Sequence, residues 1–442
     1  ENTNGFINNS KTDNFSATAG FSYVGDFGFI GFSGNTLESR YQIPTRGSAG
    51  AEQSFIKMKS NKLDLKGEWN NPGGFFEKIR TKLSMTDYEH TEAYEADFKN
   101  DTFEGRLEAP HRPIFGMRGV LGFQAITNRF EALDVEGGDW INPSTRSNNF
   151  AAFATESFDL GPTVAELGVR VEHATLNARG ERASPHQTFT PISVSASDLW
   201  NIDDQNSVSL GLARSQRAPL ANELFFLGEH EATASYQKGN VGLKKETSYN
   251  IDLGYKFNSK KVAVEINLFH NWVNNYIFSQ RTGNTVGGDP EVEYQQAAAT
   301  FIGYEAQLIY HVWKNASQDV DLTLFSDYTR GKLNNEGDVP RIPPLRLGFQ
   351  ADHRYGNWRS NLRVTYADDQ NYGGAYEDST GSYTLVNLNT HYHIEDFNKA
   401  DVMVYAKGNN LLNQNIRNSA SFLRNFAPEP GIGGEIGIRI SY

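Results

Sequence analysis

From Tyr249 onward, Thr247-Ser248-Tyr249-Asn250-Ile251-Asp252-Leu253-Gly254-Tyr255-Lys256-Phe257 alternates a large apolar or aromatic side chain with a polar one or glycine. Period two marks a strand, because successive side chains point to opposite faces of a sheet. A helix repeats its apolar positions every three or four residues, and that pattern is almost absent from the chain. The alternation returns in Trp358, Leu362, Val364 and Tyr366 against Arg359, Asn361, Arg363 and Thr365, with Ser360 as the one exception. It returns again in Leu167, Val169 and Val171 against Glu166, Gly168, Arg170 and Glu172. Working outward gives about 19 strands: 15–24, 27–37, 61–70, 76–89, 100–109, 116–129, 147–158, 163–177, 187–200, 206–217, 246–257, 261–277, 294–313, 319–332, 344–355, 357–370, 382–393, 400–412 and 432–442. Many have about 10–15 residues, against roughly 5–6 for a globular strand. Long strands with one apolar and one polar row fit an all-β, transmembrane antiparallel barrel, apolar toward lipid and polar toward water.

Short and long connections alternate along the chain. Gly25-Asp26, Asn70-Asn71-Pro72-Gly73-Gly74, Gly161-Pro162, Asp203-Asp204-Gln205-Asn206, Asn258-Ser259 and Gly356-Asn357 are short. Longer polar loops fall near 38–60, 90–100, 130–146, 178–186, 218–245, 279–293, 333–342, 371–381 and 413–430. Short periplasmic turns opposite long loops are the outer-membrane pattern, and a globular sandwich does not sort its loops in this way. Trp69, Tyr88, Trp140, Trp200, Trp272, Tyr276, Trp313 and Tyr328 sit near strand ends, where an interfacial aromatic girdle is expected. In the last strand Ile436, Ile438, Ile440 and Tyr442 share one face, opposite Glu435, Gly437, Arg439 and Ser441. An unpaired apolar edge of that kind is an aggregation hazard in water, which favours closure within a membrane over an ordinary edge strand.

Composition first points elsewhere. The 442 residues include no cysteine, 53 acidic and 41 basic side chains and a net charge of −12, and the mean hydropathy is −0.56. The absence of cysteine excludes disulfides, thiolate zinc sites and a cysteine nucleophile. The acidic balance tells against a nucleic-acid partner. No apolar run approaches the length of a membrane-spanning helix. Averaging conceals a lipid belt, because half of each strand faces water.

The first connection is short, so the first strand runs toward the periplasm. The last strand runs the same way, which makes the count odd. Single-chain bacterial barrels have even counts. Three strands before residue 1 are therefore expected, giving roughly 22, the size of the plugged outer-membrane transporters. Closure of about 19 strands through a parallel pair is the second architecture.

Several stretches carry a family resemblance. They are Tyr23-Val24-Gly25-Asp26-Phe27-Gly28-Phe29-Ile30-Gly31 with Tyr41-Gln42-Ile43-Pro44, and Ser215-Gln216-Arg217-Ala218-Pro219 with Asn222-Glu223-Leu224-Phe225. Gly239-Asn240, Gly242-Leu243 and Glu246 follow, then Asn409-Asn410-Leu411-Leu412-Asn413, Ile416-Arg417-Asn418 and Ser421-Phe422-Leu423-Arg424-Asn425-Phe426-Ala427-Pro428. Together they resemble the TonB-dependent outer-membrane receptors, in the branch associated with zinc and sometimes haem uptake. The resemblance implies that residues 1–442 form a receptor barrel domain without the plug that precedes it in the family, set in the outer membrane of a Gram-negative bacterium. It implies outer-membrane lipid, the TonB complex (through a region before residue 1) and the barrel-assembly machinery as partners. The terminal Ile436, Ile438, Ile440 and Tyr442 resemble the family's assembly signal.

The expected function is import of a scarce metal or metal chelate, zinc first, haem or a ferric siderophore next, with no resident cofactor. A passive porin-like channel is the alternative. No G-x-S-x-G, H-E-x-x-H or glycine-rich phosphate loop occurs, so no catalytic residue is assigned. Two acidic, histidine-bearing loops are the binding candidates. Asp87, His90 and Glu92, followed by Glu95 and Asp97, offer imidazole and carboxylate donors suited to Zn²⁺, and His90 and Glu92 point the same way. Glu229, His230 and Glu231 form the other. His90, Glu92 and His230 are the expected metal ligands. Zinc-type receptors commonly carry a histidine-rich insertion where residues 45–60 hold neither histidine nor cysteine, so an iron chelate or haem stays open.

Overall fold

The computed structural model describes residues 9–43, 55–92, 96–135, 137–180, 186–230, 233, 235–334, 337–397, 400–425 and 427–441. They contain 23 strands and one short helix, Ala221–Phe225. Nineteen strands have nine or more residues. The other four, Gln187–Phe189, Leu227–His230, Ser235–Lys238 and Gly337–Asp338, have two to four. The long strands follow the alternation closely, and Asn206–Arg217 has the same bounds in both. Two differences are instructive. Pro191 cuts the expected strand 187–200 in two, because proline has no N–H for a ladder. Val262–Val286 and Asp289–Lys314 run straight through the stretch read as a loop at 279–293.

The chain divides into two compact units. The first comprises Glu1–Asp198, Leu212–Tyr249 and Val273–Ala298; the second comprises Leu199–Gly211, Asn250–Trp272 and Ala299–Tyr442.

Unit one holds an antiparallel meander of Thr12–Gly25, Gly28–Gln42, Phe55–Gly73, Phe76–Glu92, Ala96–Pro110, Met117–Asp134, Trp140–Asp159 and Thr163–Ala178. Its register sorts the two rows. Leu63, Met85 and Phe103 lie abreast and are 64%, 58% and 43% exposed, an apolar outer face. One residue along, Asp64, Ser84 and Glu104 lie abreast on the inner face. The turn after Asn70 needs left-handed backbone at Asn71, Gly73 and Gly74, which glycine adopts without a Cβ penalty. Buried apolar residues gather in two clusters: Leu176, Ala221, Leu224, Phe225, Leu243 and Ile277 with Ala178, and Phe98 with Ala96, Ala132, Ile141 and Phe226.

Unit two holds a second antiparallel meander, from Ala299 of Asp289–Lys314 through Gln318–Leu333, Arg346–Tyr355, Trp358–Ala367, Tyr383–Phe397, Ala400–Asn409 and Gly433–Ser441. Ile436, Ile438 and Ile440 pair with Ala406, Val404 and Val402 and are 83%, 66% and 52% exposed on the outer face. Tyr442 lies outside the described residues.

Both units use one inner-face device. Phe153 lies across Gly122, its direct ladder partner, and Phe325 lies across Gly348 in the same relation. A methyl group at either glycine would overlap the ring. The Arg106 guanidinium sits 4.5 Å over Phe153, and that of Arg363 sits 3.8 Å over Phe325, a cation–π arrangement.

Candidate functional site

Strand Phe76–Glu92 presents Tyr88, His90 and Glu92 inward and Asp87, Glu89 and Thr91 outward, in line with exposed Met85. Asp87, read from sequence as a binding residue beside His90 and Glu92, is therefore on the opposite face, since odd spacing in a strand separates side chains. Tyr88, read as a girdle residue, faces inward, and its hydroxyl is 3.0 Å from His90 Nδ1. His90 Nε2 lies 3.8 Å from Glu92 Oε1, and Glu92 is only 2% exposed. Across the ladder His90 meets Phe98, and the rings stack at 4.4 Å with 14° between their planes.

The long loop after Arg217 is folded. Helix Ala221–Phe225 buries Leu224 and Phe225. Leu227–His230 and Ser235–Lys238 then form a small hairpin. Its second strand adds in parallel to the long strand, pairing Tyr236, Gln237 and Lys238 with Glu291, Val292 and Glu293. This carries His230 to 6.0 Å from Phe98 and 5.8 Å from Phe226. Residues 90 and 230, chosen separately from sequence, thus share one phenyl ring. The Glu229 carboxylate lies against the turn at Gly287. Glu231 and Glu95 lie outside the described residues. Asp97 accepts a 2.7 Å hydrogen bond from the Thr91 hydroxyl. Among the described residues, no three histidine or carboxylate groups are gathered to hold a metal ion. His90, Glu92 and His230 therefore share an aromatic nest without forming a closed coordination shell.

An ion-paired clamp fixes the loop. Arg217 reaches Glu223 at 2.9 and 3.1 Å and Glu246 at 3.2 Å. Glu223 also accepts the Leu220 N–H at 2.7 Å, and Glu246 accepts the Ile277 N–H at 2.9 Å. The loop's entry and exit are thereby tied at one guanidinium. Unit two has a clamp of opposite sign. Glu377 Oε1 meets Arg341 and Oε2 meets Arg424, each at 3.4 Å, and Oε2 accepts the Gly374 N–H at 2.9 Å. Sequence reasoning gave no role to Phe98, Phe226 or Glu377. The apolar run Leu224-Phe225-Phe226 inside a supposedly polar loop was the available signal for the first nest.

A family model described as TonB dependent receptor-like, beta-barrel matches residues 1–411. This chain belongs to that family. The receptor barrel is 22% identical over 408 residues to the iron-regulated outer membrane virulence protein of Vibrio cholerae, covering 86% of this chain and 57% of that protein. It is 23% identical over 435 residues to the ferric enterobactin receptor of Pseudomonas aeruginosa, covering 85% of this chain and 56% of that one. The chain spans little more than half the length of these relatives. Among solved structures it is similar to the copper transporter OprC, with a TM-score of 0.83 at 16% identity over 98% of this chain and 72% of that one. It is also similar to the FrpB iron transporter from Neisseria meningitidis, with a TM-score of 0.75 at 12% identity over 97% and 71%. These likenesses establish the β-barrel fold. Members of the family are Gram-negative outer-membrane barrels, transporters and receptors and not enzymes, so this TonB-dependent receptor barrel lies in the outer membrane with its exposed apolar rows toward lipid.

Proposed function

We infer that this barrel takes up a metal chelate across the outer membrane, driven by the TonB complex through a region preceding residue 1. The observation that carries the reading is the nest in which His90 and His230 share Phe98 above buried Glu92. Buried Phe98 and Glu92 hold the two imidazoles in place, and imidazole and phenol supply hydrogen bonds and metal donors. A chelate brings its own donor atoms and needs a few well-placed groups more than a closed shell. The relatives named for iron, ferric enterobactin and copper support a metal cargo, and the family tells against a passive porin. Zinc and haem are the other cargoes to test. The terminal isoleucines, with Tyr442, fit the role of an assembly signal read by the barrel-assembly machinery.

The experiment is growth of a deletion strain under iron, copper, zinc and haem limitation in parallel, complemented with wild type, Phe98→Ala or His230→Ala. A defect under one limitation identifies the cargo class. Phe98→Ala should lower uptake about tenfold with the receptor still present in the membrane, a loss of roughly 1.4 kcal/mol of binding. Normal growth of the deletion strain under all four limitations would falsify metal uptake.

A further inference from the structure

Strands Tyr383–Phe397 and Ala400–Asn409 pair antiparallel, and the Asn357 carbonyl of the neighbouring Gly356-Asn357 turn accepts the His393 N–H at 3.0 Å. Short turns mark the periplasmic end of an outer-membrane barrel. Leu388 and Tyr392 are exposed on the outer face, so His391 and His393, at odd spacing from them, face inward. Met403 is the direct ladder partner of His393. Two imidazoles and one thioether are thereby set side by side on one wall.

The spacing suits a single metal ion. The two rings have centroids 5.1 Å apart and planes at 79°. Imidazoles that share an ion, each bound at ~2.0–2.1 Å and near the tetrahedral angle, have centroids roughly 5 Å apart. Among the described residues neither imidazole has a hydrogen-bond partner for its ring. Side chains of direct ladder partners start ~4.5–5.5 Å apart at Cβ, a gap that an unbranched methionine spans. A cavity of about 460 Å³ opens beside His391, lined also by Asp352, Arg359, Asn361 and Asn389, and gives an ion access from the aqueous side.

The surroundings favour a soft, singly charged ion. Arg359 lies abreast of His391 and Arg439 abreast of Met403, while Glu395 and Asp401 stand two residues along from His393 and Met403. Guanidiniums and carboxylates balance, and among the described residues no carboxylate completes a set of three with the imidazoles. The donors themselves are therefore neutral. A neutral donor set leaves the ion its full charge, and a monovalent ion between two guanidiniums costs less than a divalent one. Thioether sulfur selects Cu(I), and imidazole accepts it.

We propose that His391, His393 and Met403 form a Cu(I) site on the inner wall at the periplasmic end of unit two. It shares no residue with the nest around His90 and His230 and does not depend on which cargo that nest takes.

The test is titration of Cu(I) against bicinchoninate, under ascorbate, with the receptor purified from outer membranes in detergent. Wild type and variants are compared as folded barrels, selected by heat-modifiable gel mobility. The wild type should bind one more equivalent of Cu(I) than His391→Gln/His393→Gln. Met403→Leu, which conserves volume, should keep that equivalent but hold it about tenfold more weakly, and lower the sulfur contribution to copper-edge X-ray absorption. Its Zn²⁺ affinity should move by less than about twofold, because zinc sites use nitrogen, oxygen and thiolate rather than thioether donors. His230→Ala should retain the equivalent, so loss of the uptake reading and loss of this site are told apart. Equal Cu(I) stoichiometry in wild type and the double variant, or unchanged Cu(I) affinity in Met403→Leu, overturns the proposal.

Discussion

Two loop clamps perform similar mechanical work with inverted charge. In unit one a single arginine, Arg217, stands between two glutamates; in unit two a single glutamate, Glu377, stands between two arginines. Their settings differ. Arg217 is 38% exposed at its side chain, whereas Glu377 and Arg424 are 10% and 8% exposed. The lone charge is half open to water in one clamp and enclosed in the other. Cutting either leaves little-hydrated partners, Glu223 and Glu246 at 10% and 16% exposed and Arg341 and Arg424 at 21% and 8%, so the difference lies in how far salt reaches the central charge.

The sharpest way to break this comparison is to delete each central residue. Glu377→Ala should cost about 3 kcal/mol of local stability, because it leaves Arg341 and Arg424 facing each other without a counter-charge. Limited proteolysis within 368–382 and 410–425 reads that loss. Arg217→Ala should cost about 2–3 kcal/mol, opening the 218–230 segment, because the freed Glu223 and Glu246, 10% and 16% exposed, keep a backbone N–H donor each but no counter-charge. A cost below about 1 kcal/mol in either variant would sink the argument from burial. Salt is the next test. Raising it to roughly 0.5 M should loosen the Arg217 clamp measurably and the Glu377 clamp hardly at all, as exposed pairs are screened and buried ones are not. The smallest effect belongs to Arg217→Lys, about 0.5–1 kcal/mol, because one ammonium cannot hold Glu223 through two parallel bonds and still reach Glu246. Indistinguishable proteolysis rates for this variant and wild type would show that the fork geometry is not needed.

Much of the fold was legible because the membrane enforces it. A strand with lipid on one side and water on the other must alternate, so Asn206–Arg217 could be bounded from sequence alone. Legibility fails where that contrast fails. At Gln280-Arg281-Thr282-Gly283-Asn284 both rows of the strand are polar or glycine, so the backbone ladder continues with no pattern in the side chains to announce it. The site was half legible. Alternation alone aligns His90 with Glu92 and sets Asp87 apart. No periodicity relates residue 90 to residue 230, because their meeting depends on a hairpin that docks in parallel on a strand far along the chain. The clamps were invisible for the same reason: Arg217, Glu223 and Glu246 come together through a loop's closure.

The rings laid over Gly122 and Gly348 bear on how such a barrel reaches one register among many. Moving a strand by a single residue turns every side chain to the wrong face, while a slip of two restores the faces and costs far less. The glycine notch removes that second freedom. A two-residue slip would bring Phe153 against Val120 or Gln124, and Phe325 against Arg346 or Gln350, side chains with no hollow to receive a flat ring. Each notch thus behaves as a lock-and-key gauge for the register of its own hairpin. The gauge is local, because ring and glycine lie on neighbouring strands and need no third one to meet.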